Sequence, residues 1–363
     1  MKVLLLAGEE SGMIYARRIR ERLSGCEVRG YGEYGFKTSD LAVMGFWEVL
    51  KRIRYFLRVK KTMERAVDEW KPDVVCTIDY PGMNLKICRY AKSKGIRTVH
   101  VVCPQVWAWK SGRIPRIEES VDRLCCFLPF EPSLFKPGFA EFVGHPLVEE
   151  FGRAAAGGAL PVPPFKVALL PGSRIGEIRK NLPVMIKAAS MLRDVQATVP
   201  AANPAALKEI ESIVAKTHAH VEVVSGCARK VLSSSYAAVV ASGTATLESA
   251  LSGCPTILVY KVGPLLAWFA RRVIKGVRHI GLVNIIWEKT GEEGPQPMTE
   301  LLQGDFTARA VASGIDVLLR DAATRSSTLS ALKLALSRLK TDGSPLDRIV
   351  DNVLGARNPS ACA

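Results

Sequence analysis

Short continuous apolar runs alternate with longer helical patterns along the whole chain. Residues 3–7 (VLLLA) predict a strand and GEESG a turn, and Tyr15, Ile19 and Leu23 fall at helical spacing after it. Residues 73–78 predict a second strand, followed by a turn at Asp79-Tyr80-Pro81-Gly82 and a helix carrying Leu85, Ile87, Cys88 and Tyr90. Residues 98–103 and 124–128 predict further strands. These runs are continuous and rich in β-branched residues, the pattern of strands covered on both faces. Strand alternating with helix implies a parallel sheet flanked by helices.

Near residue 145 the pattern breaks. GHPLVEEFGRAAAGGALPVPPF clusters Gly, Ala and Pro and reads as a linker. The alternation then restarts, with strands predicted at 166–170, 197–199, 221–224, 237–241 and 256–260, PGSRIGE as the first turn and a helix over 178–192. The last fifty residues read mainly as helices. The expected fold is α/β, with two doubly wound Rossmann-like lobes over 1–155 and 162–340, a helical tail over 341–363, and an interdomain cleft lined by carboxyl ends of strands. A length of 363 residues exceeds what one core usually serves.

Composition narrows the partners. With 48% hydrophobic and 23% charged residues and no repeat, the chain is neither disordered nor a solenoid. Its net charge of +15 calls for an anionic partner. No RRM, helix-turn-helix or KH signature occurs, which argues against nucleic acid. The nine cysteines lie mostly in apolar runs with no C-x-x-C pair, as free thiols do in a reducing compartment. No D-x-D element and no His pair at ligand spacing occurs, so neither a metal nor a cofactor is expected. The apolar run at the N-terminus is too short for a secretion signal, and no run approaches the roughly 20 residues of a spanning helix.

Four motifs follow predicted strands. Gly8-Glu9-Glu10-Ser11-Gly12 opens a helix, where glycines let a ligand approach and N–H groups favour an anion; a plain tight turn with Ser11 as N-cap fits as well. In Leu170-Pro171-Gly172-Ser173-Arg174, a hydroxyl and a guanidinium beside small residues suit a diphosphate. Ser242-Gly243-Thr244 opens a helix with free N–H groups, and Glu248 one turn later can take ribose hydroxyls; a capping box reads equally from these residues. Asp79 ends a strand, where a carboxylate serves either as general base or as a turn residue before Pro81. Two basic amphipathic stretches, 46–61 and 265–275, read as membrane-surface elements or as core helices with solvated backs.

Together these motifs resemble one family along nearly the whole chain. GEESG, LAVMG at 41–45, Lys71-Pro72-Asp73, Ile78-Asp79, VWAW at 106–109, FLPFE at 127–131, Gly144-His145-Pro146, LLPGSR, ASGTATLE and Glu300-Leu301-Leu302-Gln303 occur in the order found in lipid-A-disaccharide synthases. The resemblance implies an inverting, metal-independent glycosyltransferase of the two-lobed GT-B type. UDP-2,3-diacylglucosamine would be the donor and 2,3-diacylglucosamine 1-phosphate (lipid X) the acceptor. It further implies that Asp79 is the base, with Glu9 sharing the role or holding the acceptor. Arg174, Ser242, Gly243, Thr244, Glu248 and Gln303 would hold UDP, with Gly8, Ser11, Gly12, Ser173, Asn284 and Glu300 bordering the site. Implied partners are the cytoplasmic face of the inner membrane, contacted peripherally, and a second copy of the chain as a homodimer.

The chain departs from the family pattern in the acceptor lobe. Glu10 replaces a Thr, Met13 and Gly82 replace acidic residues, and the stretch before Leu41 is short. These changes bear on acceptor identity and rate more than on nucleotide binding. The competing readings are a UDP-sugar 2-epimerase, the transferase of the peptidoglycan lipid precursor, and a UDP- or lipid-binding relative with little turnover.

Overall fold

The computed structural model describes residues 1–41, 52–151, 161–217, 220–263, 272 and 276–355, without the side chains of residues 10, 11, 38 and 39. The chain divides into two compact units. One comprises Met1–Glu149 with the chain from Leu339 onward, the other Glu150–Arg338.

The first unit carries strands β1 (Lys2–Ala7), β2 (Glu27–Arg29), β3 (Val74–Ile78), β4 (Arg97–Val101), β5 (Arg123–Cys126) and β6 (Ala140–Phe142). They form one parallel sheet in the order β2-β1-β3-β4-β5-β6. Helices α1 (Glu10–Arg22), α2 (Ile53–Trp70), α3 (Pro81–Ser93) and α4 (Ile114–Ser120) connect the strands. Every residue of β3 is buried, as its unbroken apolar run requires. Alternate residues of β1 serve opposite faces. Val3, Leu5 and Ala7 pack with Ala16 and Ile19 of α1, whereas Leu4 and Leu6 share a core with α2 and α3.

The second unit repeats the plan. Its strands are β7 (Phe165–Leu170), β8 (Val195–Ala201), β9 (Val221–Ser225), β10 (Ala237–Ala241), β11 (Thr256–Tyr260) and β12 (Thr299–Leu302), parallel in the order β12-β11-β10-β7-β8-β9. Helices α5 (Ile175–Ser190), α6 (Thr244–Leu251), α7 (Leu282–Lys289) and α8 (Ala308–Arg320) are the ones that matter below. Ile178, Leu182 and Met185 of α5 cover one face with Ile315 of α8, and Ala245 of α6 packs with Leu170 and Val240 on the other.

The last helix, α9 (Pro345–Leu354), corrects the sequence expectation of a separate tail over 341–363. Leu346, Ile349, Val350 and Val353 are buried in the core that α1 shares with β1, β3 and β4. A helix with so apolar a face must cover another surface, and here it covers the first sheet. Arg348 and Asn352 fasten it to Glu141 of β6.

Candidate active site

In a doubly wound sheet, ligands bind at the carboxyl edge where the strand order reverses, because the loops leaving the two neighbouring strands run to opposite faces. In the first sheet this point lies between β1 and β3, so GEESG and Asp79-Tyr80 flank it. In the second it lies between β7 and β10, so Pro171–Arg174 and Ser242–Thr244 flank it. Four motifs picked out by residue type alone thus occupy both switch points.

At the first switch point the backbone is strained. Asp79 and Tyr80 both adopt the left-handed conformation, with φ of 49° and 51°. Each such residue costs on the order of 1 kcal/mol, and the turn is held by a residue sequence reasoning missed. Asn84 is fully buried, and its side-chain amide donates to the main-chain oxygens of Asp79 (2.8 Å) and Ile78 (3.1 Å). Its Oδ1 accepts from the Tyr31 hydroxyl at 2.8 Å. The available signal was a lone amide on the otherwise apolar buried face of α3.

The Asp79 carboxylate is half-buried and accepts from the Tyr80 N–H at 2.8 Å. Burial raises its pKa above the ordinary aspartate value, and the Tyr80 N–H partly offsets this. Gly8 lies against Tyr80, and a β-carbon on it would come within 2.4 Å of the ring. The GEESG loop therefore needs glycine first for close packing against the next loop. Gly12 is less constrained, since an added β-carbon would meet only ordinary contacts. Glu9 is the N-cap residue of α1 without a side-chain capping bond, and its charge reaches Tyr80, whose pKa is raised by burial first and by Glu9 second. The side chain of Ser11 and the segment 42–45 of LAVMG lie outside the described residues.

VWAW and FLPFE meet in the same unit. Glu131 is buried, its Oε1 accepts from Trp107 Nε1 at 3.0 Å, and its Oε2 from the Leu128 N–H at 3.1 Å. Burial pushes its pKa up to about 8. Among the described residues, Cys103 and Cys126 bring their sulfurs within 4.8 Å of this carboxylate. All three side chains are buried and Glu131 already accepts two N–H bonds, so the cluster serves as a pin between the motifs.

At the second switch point, Gly172 takes φ 111°, and a β-carbon there would lie 2.4 Å from Glu177 Oε2. Glu177 sits in the first turn of α5 and pairs with Arg174 at 2.8 Å, leaving Ser173 and Arg174 on the exposed rim. Gly243 is the N-cap of α6 at φ 153°, and Thr244, an exposed residue, begins the helix. The Ser242 N–H donates to Val259 O (3.1 Å), and that of Gln303, at φ 52°, to Tyr260 O (2.9 Å). Both residues therefore sit at strand ends on the same carboxyl edge. Glu248 is half-buried, with its pKa raised by burial and then by the charge of Glu150.

Two predicted binding residues carry bonds of the scaffold. Asn284 is fully buried and bonds Met298 O, Met298 N and Glu300 Oε1. The Glu300 carboxylate accepts the N–H groups of Ile280 and Gly281 at the start of α7. A buried amide with its bonds satisfied and a carboxylate on a helix N-terminus are features of a scaffold, and these two hold the β12 edge.

The model of the lipid-A-disaccharide synthetase family matches residues 3–333. A lipid-A-disaccharide synthase from Anaeromyxobacter sp. (strain K) is 36% identical, with 98% of this chain and 97% of the relative covered. One from Coxiella burnetii (strain Dugway 5J108-111) is 35% identical over 91% and 92% of the two chains. Among solved structures, a spinosyn rhamnosyltransferase bound to thymidine diphosphate matches with a TM-score of 0.59 at 13% identity, covering 96% of this chain and 98% of its own. A putative UDP-N-acetylglucosamine 2-epimerase from Listeria monocytogenes matches with a TM-score of 0.59 at 14% identity over 98% and 97%. At such identities these structures share the two-lobed fold alone, and the epimerase alternative gains nothing further from them. On the match along nearly its entire length, the chain belongs to the lipid-A-disaccharide synthetase family.

Proposed function

We propose that the protein transfers the sugar of UDP-2,3-diacylglucosamine to the 6-hydroxyl of 2,3-diacylglucosamine 1-phosphate, releasing UDP and a β-1,6-linked disaccharide 1-phosphate. The observation that carries this reading is the placement of Asp79 at one switch point and of Ser173, Arg174, Ser242, Gly243 and Thr244 at the other. In the proposed step the Asp79 carboxylate takes the proton of the acceptor hydroxyl. That oxygen attacks the anomeric carbon from the face opposite the leaving group, and the bond to the diphosphate oxygen breaks, so the configuration inverts. Burial raises the basicity of Asp79 and suits it to the task. Charge growing on departing UDP is met by Arg174 and by the N–H groups opening α6. Glu248 takes the ribose hydroxyls, and Gln303 closes the edge.

The lipid nature of both substrates accords with the exposed side of α2. Ile53 and Leu57 are 45% and 58% exposed there, beside Arg52, Arg54, Arg58 and Lys61. Its other side buries Phe56, Val59 and Met63. We read this face as a peripheral contact with an anionic membrane surface. No helix among the described residues is long and apolar enough to cross a membrane. The second basic stretch, 265–275, lies outside the described residues apart from Arg272. Mass spectrometry of reactions in non-ionic micelles tests the proposal. Disaccharide 1-phosphate formed only when both substrates are present supports it, and UDP-sugar hydrolysis or epimerisation without coupling contradicts it.

A further inference from the structure

A cavity of about 680 Å³ lies between α2, α3 and α4 in the first unit. Its wall begins at Pro81 and Gly82, directly after Asp79 and Tyr80, and continues along one side of α3 through Lys86 and Arg89. Lys110, Arg113 and Arg116 close it from the opposite side. Six cations line it, counting Lys60, against the single carboxylate of Glu64, and Lys60 is bonded to Glu64 within α2. Lys86, Arg89, Arg113 and Arg116 have no carboxylate partner among the described residues. Lys110 rests over the Trp109 ring, 4.4 Å from its centroid. A concave site with this surplus of one sign demands an anion.

We infer that this cavity seats the phosphate monoester of the acceptor sugar, an assignment that rests on the function proposed above. The geometry favours it in four ways. The cavity starts in the first turn after the proposed base, so a sugar phosphate held in it keeps its hydroxyls at the carboxyl edge near Asp79. The donor diphosphate has its own edge in the other unit, so this cavity is not needed for it. Three guanidiniums offer fork-shaped donors that match a phosphate's oxygens, and a monoester with close to two charges uses them better than a diester with one. The volume exceeds what a phosphate ion alone fills, leaving room for the ring that carries it.

The assignment explains a sequence pattern left unused by the motifs. Lys86 and Arg89 stand three residues apart on α3, and Lys110, Arg113 and Arg116 recur every third residue directly after VWAW. The Glu131–Trp107 bond fixes the segment from which this second row departs. Trp107 thus acts as a positioning residue for the cavity wall.

Two measurements on the full chain decide the matter. Calorimetric titration with glucosamine 1-phosphate, and with glucosamine as control, reads the cavity without turnover. The wild type is expected to bind the phosphate and not the control. The double variant Lys86→Ala/Arg89→Ala, which alters two exposed side chains on one helix, is expected to weaken binding about 10- to 100-fold. Arg113→Lys should fall between the two. In turnover, the double variant should raise KM for the lipid sugar phosphate by a similar factor. KM for the UDP-sugar should stay unchanged, and the variant should match the wild type on an acceptor lacking the phosphate. Equal binding by wild type and variant, or no binding by wild type, overturns the assignment. So does a variant that loses binding to phosphatidylglycerol vesicles but keeps its acceptor KM in micelles, which would make the cavity a membrane contact. A wild type without turnover refutes the proposed function, while the calorimetry still decides what the cavity binds.

Discussion

The buried amide of Asn84 donates to the main-chain oxygen of Asp79 at 2.8 Å, so a side chain that meets no substrate sets the turn on which the proposed base stands. Asn84→Ala removes this bond, the one to Ile78 O, and the partner of the Tyr31 hydroxyl. A buried hydroxyl left unpaired costs about 1–3 kcal/mol. Urea denaturation should show a loss of that order. The rate constant should fall in the folded variant while UDP affinity, measured separately, stays as in the wild type.

Gly8 and Tyr80 predict a coupled pair. Gly8→Ala forces the ring aside, because the new methyl would lie 2.4 Å from it. Overpacking of this kind costs about 1–3 kcal/mol. Tyr80→Ala alone leaves a gap beside Gly8. The double variant should be more stable than the sum of the single effects predicts, by denaturation in a double-mutant cycle. Additive effects would mean that the two loops do not share this contact.

On the donor side, Gly172→Ala meets both strain at φ 111° and the Glu177 carboxylate. Arg174→Ala leaves the fold intact, since this side chain lies 60% exposed, but removes the proposed charge-assisted partner of the diphosphate. Calorimetry with UDP should show affinity down roughly 10- to 100-fold for either variant. The KM for the acceptor should remain near that of the wild type.

Two raised carboxyl groups give pH effects of different kinds. As the proposed base, Asp79 is needed as the carboxylate, so kcat/KM should rise with pH along an acid limb displaced upward from the ordinary aspartate range by burial. Glu131 concerns stability. Its pKa rises from 4.5 to about 8 on folding, so the folded state holds this proton more tightly than the unfolded one. Its stabilising contribution is complete below pH 4.5 and is lost as pH climbs to about 8. Burial depresses His100 and His145 to about 3 and about 4, which gives slopes of opposite sign at lower pH. The clean observable is therefore the difference in melting temperature between wild type and Glu131→Gln, which should shift in favour of the variant across that window.

Most of both sheets was legible because their central strands are continuous apolar runs, and β3 and β10 need no other signal. The edge strands β2, β6 and β12 were not, being three, three and four residues long with Glu27, Glu141 and Glu300 among them. Half-exposed edges need no unbroken apolar run, so periodicity says little about them. The strand expected over 98–103 stops at Val101 because Val102 turns to φ 75°. The turn after β3 is shorter than expected because Pro81 already starts a helix, where its missing N–H costs nothing. The α9 correction has a similar origin, since an amphipathic pattern shows that a face is buried without naming its partner. For the candidate site, the placement of Asp79, Pro171–Arg174 and Ser242–Thr244 at strand ends was readable from the sequence. The scaffold bonds of Asn284 and Glu300 were not legible, because a polar residue in a motif looks the same whether it faces a ligand or holds a turn. Asn84 and the basic cavity depend on side chains meeting from separate helices, which spacing along the chain does not reveal.

The central claim is that Asp79 performs the chemistry while the second unit holds UDP. The most direct measurement compares wild type and Asp79→Asn for acceptor-dependent UDP release, with UDP affinity measured on the same preparations. The account predicts that release by the variant falls about 100-fold or more while UDP affinity changes less than about threefold. Release at the wild-type rate, or a loss of UDP binding that matches the loss of rate, would contradict it.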